Sequence, residues 1–547
     1  MPFSGNREPL YPKNRDIKDK IGVVRNKITI FAELIATISS MQLKCLKRAA
    51  SFVLLLWAVN TASAQCDLPD TTYTSAKGLE YKIEVLDTVT NANLCSHRDL
   101  YADAPGIFTF RGSPRRDMPY AGKLDSIPSR IELVWTFRTD YDSRQTDYGI
   151  WGGGSGWTGQ PVFVEWSDSL MNVQRERSTK LTSQFSNREI IVGSLCGNVY
   201  FIDFETGKAS REAFIGKNPI KGSVSLDPRL NGNLYVGQGI PSEGAIGAVV
   251  YNIFDHKRLD YFGRDNNAWR RWGAYDASAI VVDNFVMRPG ENGTIYKLST
   301  TDKSVTMHSN MRYRKGGVAP GMESSPAVYK NYLFTSDNRG NILCTNINTM
   351  KPVWCFSNAD DTDATVIVAE EDGQVVLYAG SAVDKQTSPG YCHFTKLNAL
   401  TGEVIWQKKI ACRKMGNSTK AIEGGMFSTP LLGHGDCEGL IFTNLCGMGS
   451  SDTGTFVAIS RKTGEIVYRT RLASYSWSSP VALYTADEKM YIFTGDVIGN
   501  AYLIDALTGR IIFKQHMANN FESSPVVIDN YVVVGSRGRE IYKFRIR

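Results

Sequence analysis

Few side chains in this chain stand at spacings that do chemistry by themselves. The six histidines, His97, His256, His308, His393, His434 and His516, are scattered, and no two have metal-ligand spacing. Asp360, Asp361 and Asp363, followed by Glu370, Glu371 and Asp372, are acidic enough to suggest calcium. They lack the Asp-x-Asp-x-Asp-Gly order of a calcium loop, so a solvated loop and a turn are expected there. Gly152-Gly-Gly-Ser-Gly156 is rich in glycine, but no Lys-Ser or Lys-Thr follows and no helix is expected after it. It is read as a mobile turn, not a phosphate cradle. No catalytic set and no metal site follow from spacing.

The elements that would position any site are more legible. Thr206-Gly207, Thr401-Gly402, Thr463-Gly464 and Thr508-Gly509 each open a short hydrophobic strand, and spacings of this order mark a repeat fold. Around Thr508 the unit reads as four short runs: Pro480-Val-Ala-Leu-Tyr, Met490-Tyr-Ile-Phe, Asn500-Ala-Tyr-Leu-Ile-Asp and Arg510-Ile-Ile-Phe513. β-Branched and aromatic residues bounded by turn residues are strand signals. Similar units start near Thr158, Lys221, Asp276, Glu323, Asp363, Phe427, Trp477 and Glu522, which makes eight. The last stops at Arg547 after three strands, while Ile131-Glu-Leu-Val-Trp135-Thr-Phe137 matches a fourth strand that has no partners of its own. The expected fold is all-β: an eight-bladed propeller of four-stranded antiparallel blades over 130–547, its last blade closed by Ile131 to Arg138. Radial closure of this kind leaves only short, protected edges.

In a propeller the residue before each first strand lies near the axis on one face, here termed the inlet face. Candidate ligand- or partner-binding residues are therefore Trp157, Lys221, Asp276, Glu323, Phe427, Trp477 and Glu522, with Thr158 and Asp363, and Arg270, Arg271 and Trp272 from a flanking loop. Aromatics and carboxylates are expected to alternate around this ring. Aromatic and arginine anchors in a concavity favour binding. The structural alternative is that they satisfy one another around a water-filled channel.

Residues 1–64 carry ten Lys or Arg and four Asp or Glu, leaving 52 basic and 51 acidic residues in the remainder. The basic balance thus belongs to the leader and does not argue for nucleic-acid binding. Lys44, Lys47 and Arg48, the apolar run Ala49 to Val59 and Ala62-Ser63-Ala64 form a secretory signal over 41–64, too short to span a bilayer. Residues 1–40 are an over-extended start or a cytoplasmic arm, and 65–129 an extension packed on the propeller. Gln65 before Cys66 argues against a lipid anchor. A periplasmic or secreted monomer without a transmembrane span is expected.

Export permits disulfides. Cys344 and Cys355 are symmetric about one turn, and Cys392 and Cys412 about another, so each pair is a candidate cross-hairpin bond. Cys66 with Cys95 and Cys437 with Cys446 are further candidates that leave Cys196 unpaired. Buried free thiols are the alternative.

Ser-Ser-Pro-Val-Val, Val-Gly-Ser, Gly-Asn-x-Tyr-x-Ile-Asp and Thr-Gly-x-x-x-aromatic together resemble the pyrroloquinoline-quinone (PQQ)-like propeller repeat, over roughly three quarters of the chain. Phe108-Thr-Phe-Arg111-Gly112-Ser-Pro114 is similar to the segment preceding the ring in that family. The resemblance implies three possible roles: a quinoprotein dehydrogenase with PQQ and calcium, a relative of the barrel-assembly lipoprotein propeller, or an exported scaffold. Dehydrogenases of this family use an aspartate base beside calcium, and many have adjacent cysteines. This chain has no Cys-Cys and no Cys-x-x-Cys-His, and no family catalytic motif falls on numbered positions. The expectation is a non-catalytic exported propeller, binding a protein or small ligand through the inlet face, without PQQ or a metal.

Overall fold

The computed structural model describes residues 68–70, 78–88, 99–118, 120–157, 159–177, 181–182, 185–416, 422–449 and 453–547. The signal segment, Gln65-Cys66, Cys95 and Thr158 lie outside the described residues.

Eight small antiparallel sheets form the blades of a propeller. Their inner strands are Val162–Glu165, Ser225–Leu226, Ile280–Val282, Ala327–Tyr329, Ile367–Glu371, Leu431–Leu432, Val481–Thr485 and Val526–Ile528, here blades 1 to 8. Blade 8 takes its outer strand from the other end of the chain: Glu540–Ile546 pairs with Ile131–Arg138, from Glu540 opposite Arg138 to Ile546 opposite Ile131. In blade 1 the outer strand is reduced to two bridges, Ile202 with Ala209 and Val199 with Phe214. No described helix is long and apolar enough to cross a membrane.

The Thr-Gly phrase locks neighbouring blades together. Each turn joins the third and outer strands on the face opposite the inlet loops, and its glycine lies against an aromatic from the preceding blade. A Cβ on Gly402 would meet Trp354 at 2.7 Å, and one on Gly464 would meet Trp406 at 2.8 Å. Both glycines also hold φ near +74°, the left-handed region other residues avoid. The same aromatics donate to backbone beside the turns: Trp135 Nε1 to Phe204 O at 3.0 Å, Trp354 Nε1 to Ala399 O at 3.0 Å, Trp406 Nε1 to Arg461 O at 3.1 Å and Tyr468 Oη to Ala506 O at 2.6 Å. A signature that reads as punctuation in the sequence is therefore an inter-blade joint.

Ser-Ser-Pro has a comparable role at the axis. The backbone N–H of Ser278 donates to Ser325 Oγ, Ser325 to Thr365 Oγ1, Thr365 to Thr429 Oγ1, Thr429 to Ser479 Oγ and Ser479 to Ser524 Oγ, at 2.9–3.2 Å. This hydroxyl belt runs from blade 3 to blade 8 and satisfies buried N–H groups that no sheet ladder reaches. Residues 106–118 thread the channel inside it. Arg111 donates to the carbonyls of Pro430 and Pro480 at 2.8 Å, and Arg116 to that of Pro326 at 2.7 Å. Phe108 and Phe110 are each 1% exposed. Residues 106–118 thus fill the axis beneath the inlet ring. Leu79–Val85 adds a fifth strand to blade 3, and Gly122–Leu124 pairs in parallel with the inner strand of blade 7.

Neither hairpin disulfide candidate forms. All seven described cysteines, Cys196, Cys344, Cys355, Cys392, Cys412, Cys437 and Cys446, are free and buried. A bulge between the third and outer strands shifts the register that counting about the turn assumes. Cys355 falls opposite Leu343 and Cys344 opposite Trp354, so the two thiols lie on opposite faces of blade 4, in separate cores. Cys412 lies opposite Gly390 and Cys392 opposite Ile410. That pair shares a face only diagonally, at a separation of about 7–8 Å, beyond disulfide reach.

Candidate functional site

Where the inlet loops converge over the plugged channel there is a pocket of about 300 Å³, lined by Trp151, Gly156, Trp157, Lys221, Glu323, Asp361, Asp363, Glu423, Phe427, Trp477, Glu522 and Arg537. Arg111 underlies it, tying carbonyls three residues beyond Phe427 and Trp477. Of the residues expected from the sequence, Trp157, Lys221, Glu323, Phe427, Trp477, Glu522 and Asp363 are brought together here. Asp276 is 1% exposed and pairs with Lys221 Nζ at the edge of the pocket wall.

Arg270, Arg271 and Trp272 are not among the lining residues. Trp272 packs on Tyr148 with ring centroids 6.0 Å apart, Arg270 occupies the space beside Gly321, and Arg271 is exposed.

Aromatics and carboxylates do not alternate around the ring; they segregate. Trp157 and Phe427 meet edge to face at 6.5 Å, and Phe427 meets Trp477 at 5.5 Å, giving an aromatic arc from blade 6 to blade 1. Glu323, Asp361, Asp363 and Glu423 occupy the loops leading into blades 4, 5 and 6. Glu522, before blade 8, is held apart by Arg537 Nη1 at 3.3 Å, and that guanidinium lies 5.0 Å over Trp151.

Five wall residues, Trp151, Gly156, Asp361, Glu423 and Arg537, were not anticipated as site residues. Asp361 belongs to the acidic stretch read as solvated, yet Asp360, Asp361 and Asp363 are 2%, 7% and 8% exposed. The loop turns inward because Asp360 accepts the backbone N–H groups of Asp384, Lys385 and Gln386. Glu370 and Glu371 are directed elsewhere, to Arg115 and to Lys396 with Arg461. Trp151 lies within the strand Gly149–Gly152, and the glycines after it are packed, not a free turn. A Cβ at Gly154 would lie 1.7 Å from Ser536 O, and Ser155 N donates to Ser536 O at 3.0 Å.

The electrostatics are dominated by burial of like charges. Asp276, Glu291 and Glu323 place ligand atoms within 4.8 Å of one another, the one such trio among the described residues. Lys221 answers it from within: its ammonium is paired with Asp276 and stands 3.6 Å from Glu323. Burial opposes that ammonium, but Asp276, Glu323 and Glu291 outweigh it and hold Lys221 well above its ordinary pKa. Glu291 is pushed well above the carboxylate range by burial, then by Glu323 and Asp276. Burial also raises Asp361 to about 6 and Glu423 to about 8. Asp363 is carried well up by burial and by the charges of Asp361 and Glu323. Asp361 Oδ2 accepts from Lys385 Nζ at 3.0 Å, and the Asp361 and Asp363 carboxyls hydrogen-bond each other. Side-by-side carboxyls of this kind share protons at neutral pH.

A family model described as outer membrane protein assembly factor BamB matches residues 452–547. Tetrathionate hydrolase of Acidithiobacillus ferrooxidans is 24% identical over 295 residues, a match spanning 52% of this chain and 53% of that protein. Among solved structures, the quinohemoprotein alcohol dehydrogenase of Comamonas testosteroni superposes with a TM-score of 0.57 at 14% identity, covering 82% of each chain. A europium-containing methanol dehydrogenase gives 0.55 at 13% identity over 81% of this chain and 98% of its own. The sequence match covers the last two blades, and the likeness in structure, at 13–14% identity, is one of fold: the chain folds as an eight-bladed β-propeller.

Proposed function

We propose that this chain is an exported binding propeller whose ligand or partner group occupies the inlet-face pocket. One observation carries this reading: a 300 Å³ concavity with an aromatic arc facing carboxyls, closed below by a packed axis. Concave sites with a few converging polar groups are the usual ligand sites of rigid scaffolds. The leader argues for export, and the match of 452–547 to a family model described as an outer membrane protein assembly factor favours a scaffold role.

The donor set does not fit the family's quinone cofactor. PQQ is a tricarboxylate, and the pocket offers it five carboxyls against Lys221 and Arg537. Both cations are already engaged, Lys221 by Asp276 and Arg537 by Glu522. The acidic trio that could hold calcium is filled by the Lys221 ammonium.

Trp157 and Trp477 report on the pocket, so titrating the full chain with a panel of cationic, neutral and anionic small molecules while following tryptophan fluorescence tests the reading. Saturable changes abolished by Trp477→Ala support it; no saturable change with any member refutes it.

A second reading, a hydrolase, is favoured by the Asp361–Asp363 pair, since a carboxyl raised to about 6 is poised for general acid–base work. The relative called tetrathionate hydrolase makes tetrathionate the first substrate to try. Turnover lost in Asp363→Asn would establish it, and no consumption of tetrathionate would remove that substrate.

A further inference from the structure

Resting on the binding reading above, we infer that the group taken by this pocket is an organic cation, an alkylammonium or guanidinium, held between the Phe427–Trp477 arc and the carboxyls of Asp361, Asp363 and Glu423. Charge is the first ground. Five carboxyls line the pocket against two cations, and Lys221 and Arg537 are committed to Asp276 and Glu522. Lys385 is shared between Asp361 and Asp384. Lys385 is thus divided among three carboxyls, its charge reaching Glu423 as well, while Asp363 has no ion-pair partner among the described residues and only the neighbouring Asp361 carboxyl to bond; Asp361 and Asp363 are 7% and 8% exposed.

The aromatic wall is the second ground, independent of the acids. Ring faces attract cations, most strongly when water is excluded. This pocket already uses that contact twice: Lys221 Nζ lies 5.9 Å over Trp157, and the Arg537 guanidinium 5.0 Å over Trp151. Phe427 and Trp477, in mutual contact, have no such partner among the described cation–ring contacts.

A metal ion is the competing occupant, and the geometry disfavours it. Metal binding needs several ligand atoms converging on a point. Among the described residues only Asp276, Glu291 and Glu323 converge within 4.8 Å, and there the protein has placed its own ammonium. The remaining acids are spread over three inlet loops, which suits a larger, diffuse cation.

Protons are what this cation displaces. The groups facing the site are Glu323, Asp361, Asp363, Asp384, Glu423 and Glu522, with Asp276 and Glu291 behind them and Lys221, Lys385 and Arg537 as cations. Burial holds Asp361 near 6 and Glu423 near 8, so both carry protons on the acid side of those values. A cation favours the ionised forms, so affinity rises with pH through this window and binding releases protons.

Isothermal titration and tryptophan fluorescence of the full chain with agmatine and with tetramethylammonium test the inference, with calcium chloride and tetrathionate run alongside. The expected result is saturable binding of an organic cation, weakened about tenfold or more in Glu423→Gln and in Trp477→Leu, where tenfold corresponds to about 1.4 kcal/mol. Binding should also weaken at about pH 5 relative to about pH 9. Parallel melting curves separate lost binding from lost folding, and Trp477→Phe, which keeps a ring, should retain most affinity. Saturation by calcium without either organic cation would overturn the inference in favour of a metal. Binding of tetrathionate or neutral ligands alone would overturn it and leave the binding reading standing; no binding by any ligand would remove both.

Discussion

Replacing Trp354 tests whether the Thr-Gly joint holds the ring together. The indole is fully buried between blades 4 and 5, lies on Gly402, meets Phe334 at 5.9 Å and donates Nε1–H to Ala399 O at 3.0 Å. Trp354→Ala removes the ring from a packed core, at a cost of about 3–5 kcal/mol. It also leaves the Ala399 carbonyl without its donor, for about 1–3 kcal/mol more. For the unit Leu68–Arg547, an unfolding entropy of about 2.1 cal/mol/K per residue sums to about 1 kcal/mol/K, so each kcal/mol lowers Tm by about 1 °C. The alanine variant should therefore melt about 4–8 °C lower by calorimetry or circular dichroism. Trp354→Phe keeps most of the apolar surface and loses only the donor, so its expected drop is about 1–3 °C. An alanine variant melting within about 1 °C of the parent, or a phenylalanine variant as damaged as alanine, would refute the joint as a source of ring stability.

Glu423 has a folded pKa near 8 against an ordinary 4.5, so the native state holds its proton over that window. Stability from this group is full below about 4.5 and is lost as pH rises through about 8. Glu423→Gln should accordingly be more stable than the parent at about pH 9, by up to about 5 kcal/mol, and equally stable at about pH 4; a difference of the opposite sign at high pH would contradict the burial argument. Arg111→Met strips two buried carbonyls of their donor and should cost about 2–5 kcal/mol by thermal or denaturant melting, whereas Arg115→Met, whose ion pair with Glu370 is half open to water, should cost under about 1 kcal/mol. Equal costs would show that the axial segment is not held by Arg111. Peptide mapping after alkylation under unfolding conditions should recover Cys344, Cys355, Cys392 and Cys412 as free thiols that are protected in the native protein; a Cys344–Cys355 or Cys392–Cys412 linked peptide would overturn the observed registers.

The ring was legible because its signals are local. Ser-Ser-Pro, the strand alternation and Thr-Gly each report a conformation of a few consecutive residues, and an incomplete last unit with an orphan strand at Ile131 reports closure. The cysteine pairs were misjudged for an equally local reason. In every blade from 2 to 8 the pairing of the third and outer strands carries a register shift, and one extra residue turns a side chain to the opposite face. The acidic stretch at Asp360 was misplaced because whether a run of aspartates faces water depends on which backbone N–H groups it can cap, here those of residues 384–386, more than twenty positions on.

From the order of residues alone came the number of blades, the strand that closes them, and the inlet position of each blade. Those follow from turn chemistry and side-chain periodicity, which a chain carries wherever it folds. Tertiary structure decided the rest. It set Arg537 against Glu522 and Lys221 into the Asp276–Glu291–Glu323 trio, passed Arg111 and Arg116 through the axis, and sorted the pocket into an aromatic and an acidic arc. Charge state and pocket shape arise from burial and from contacts between distant segments, and neither exists until the ring has closed.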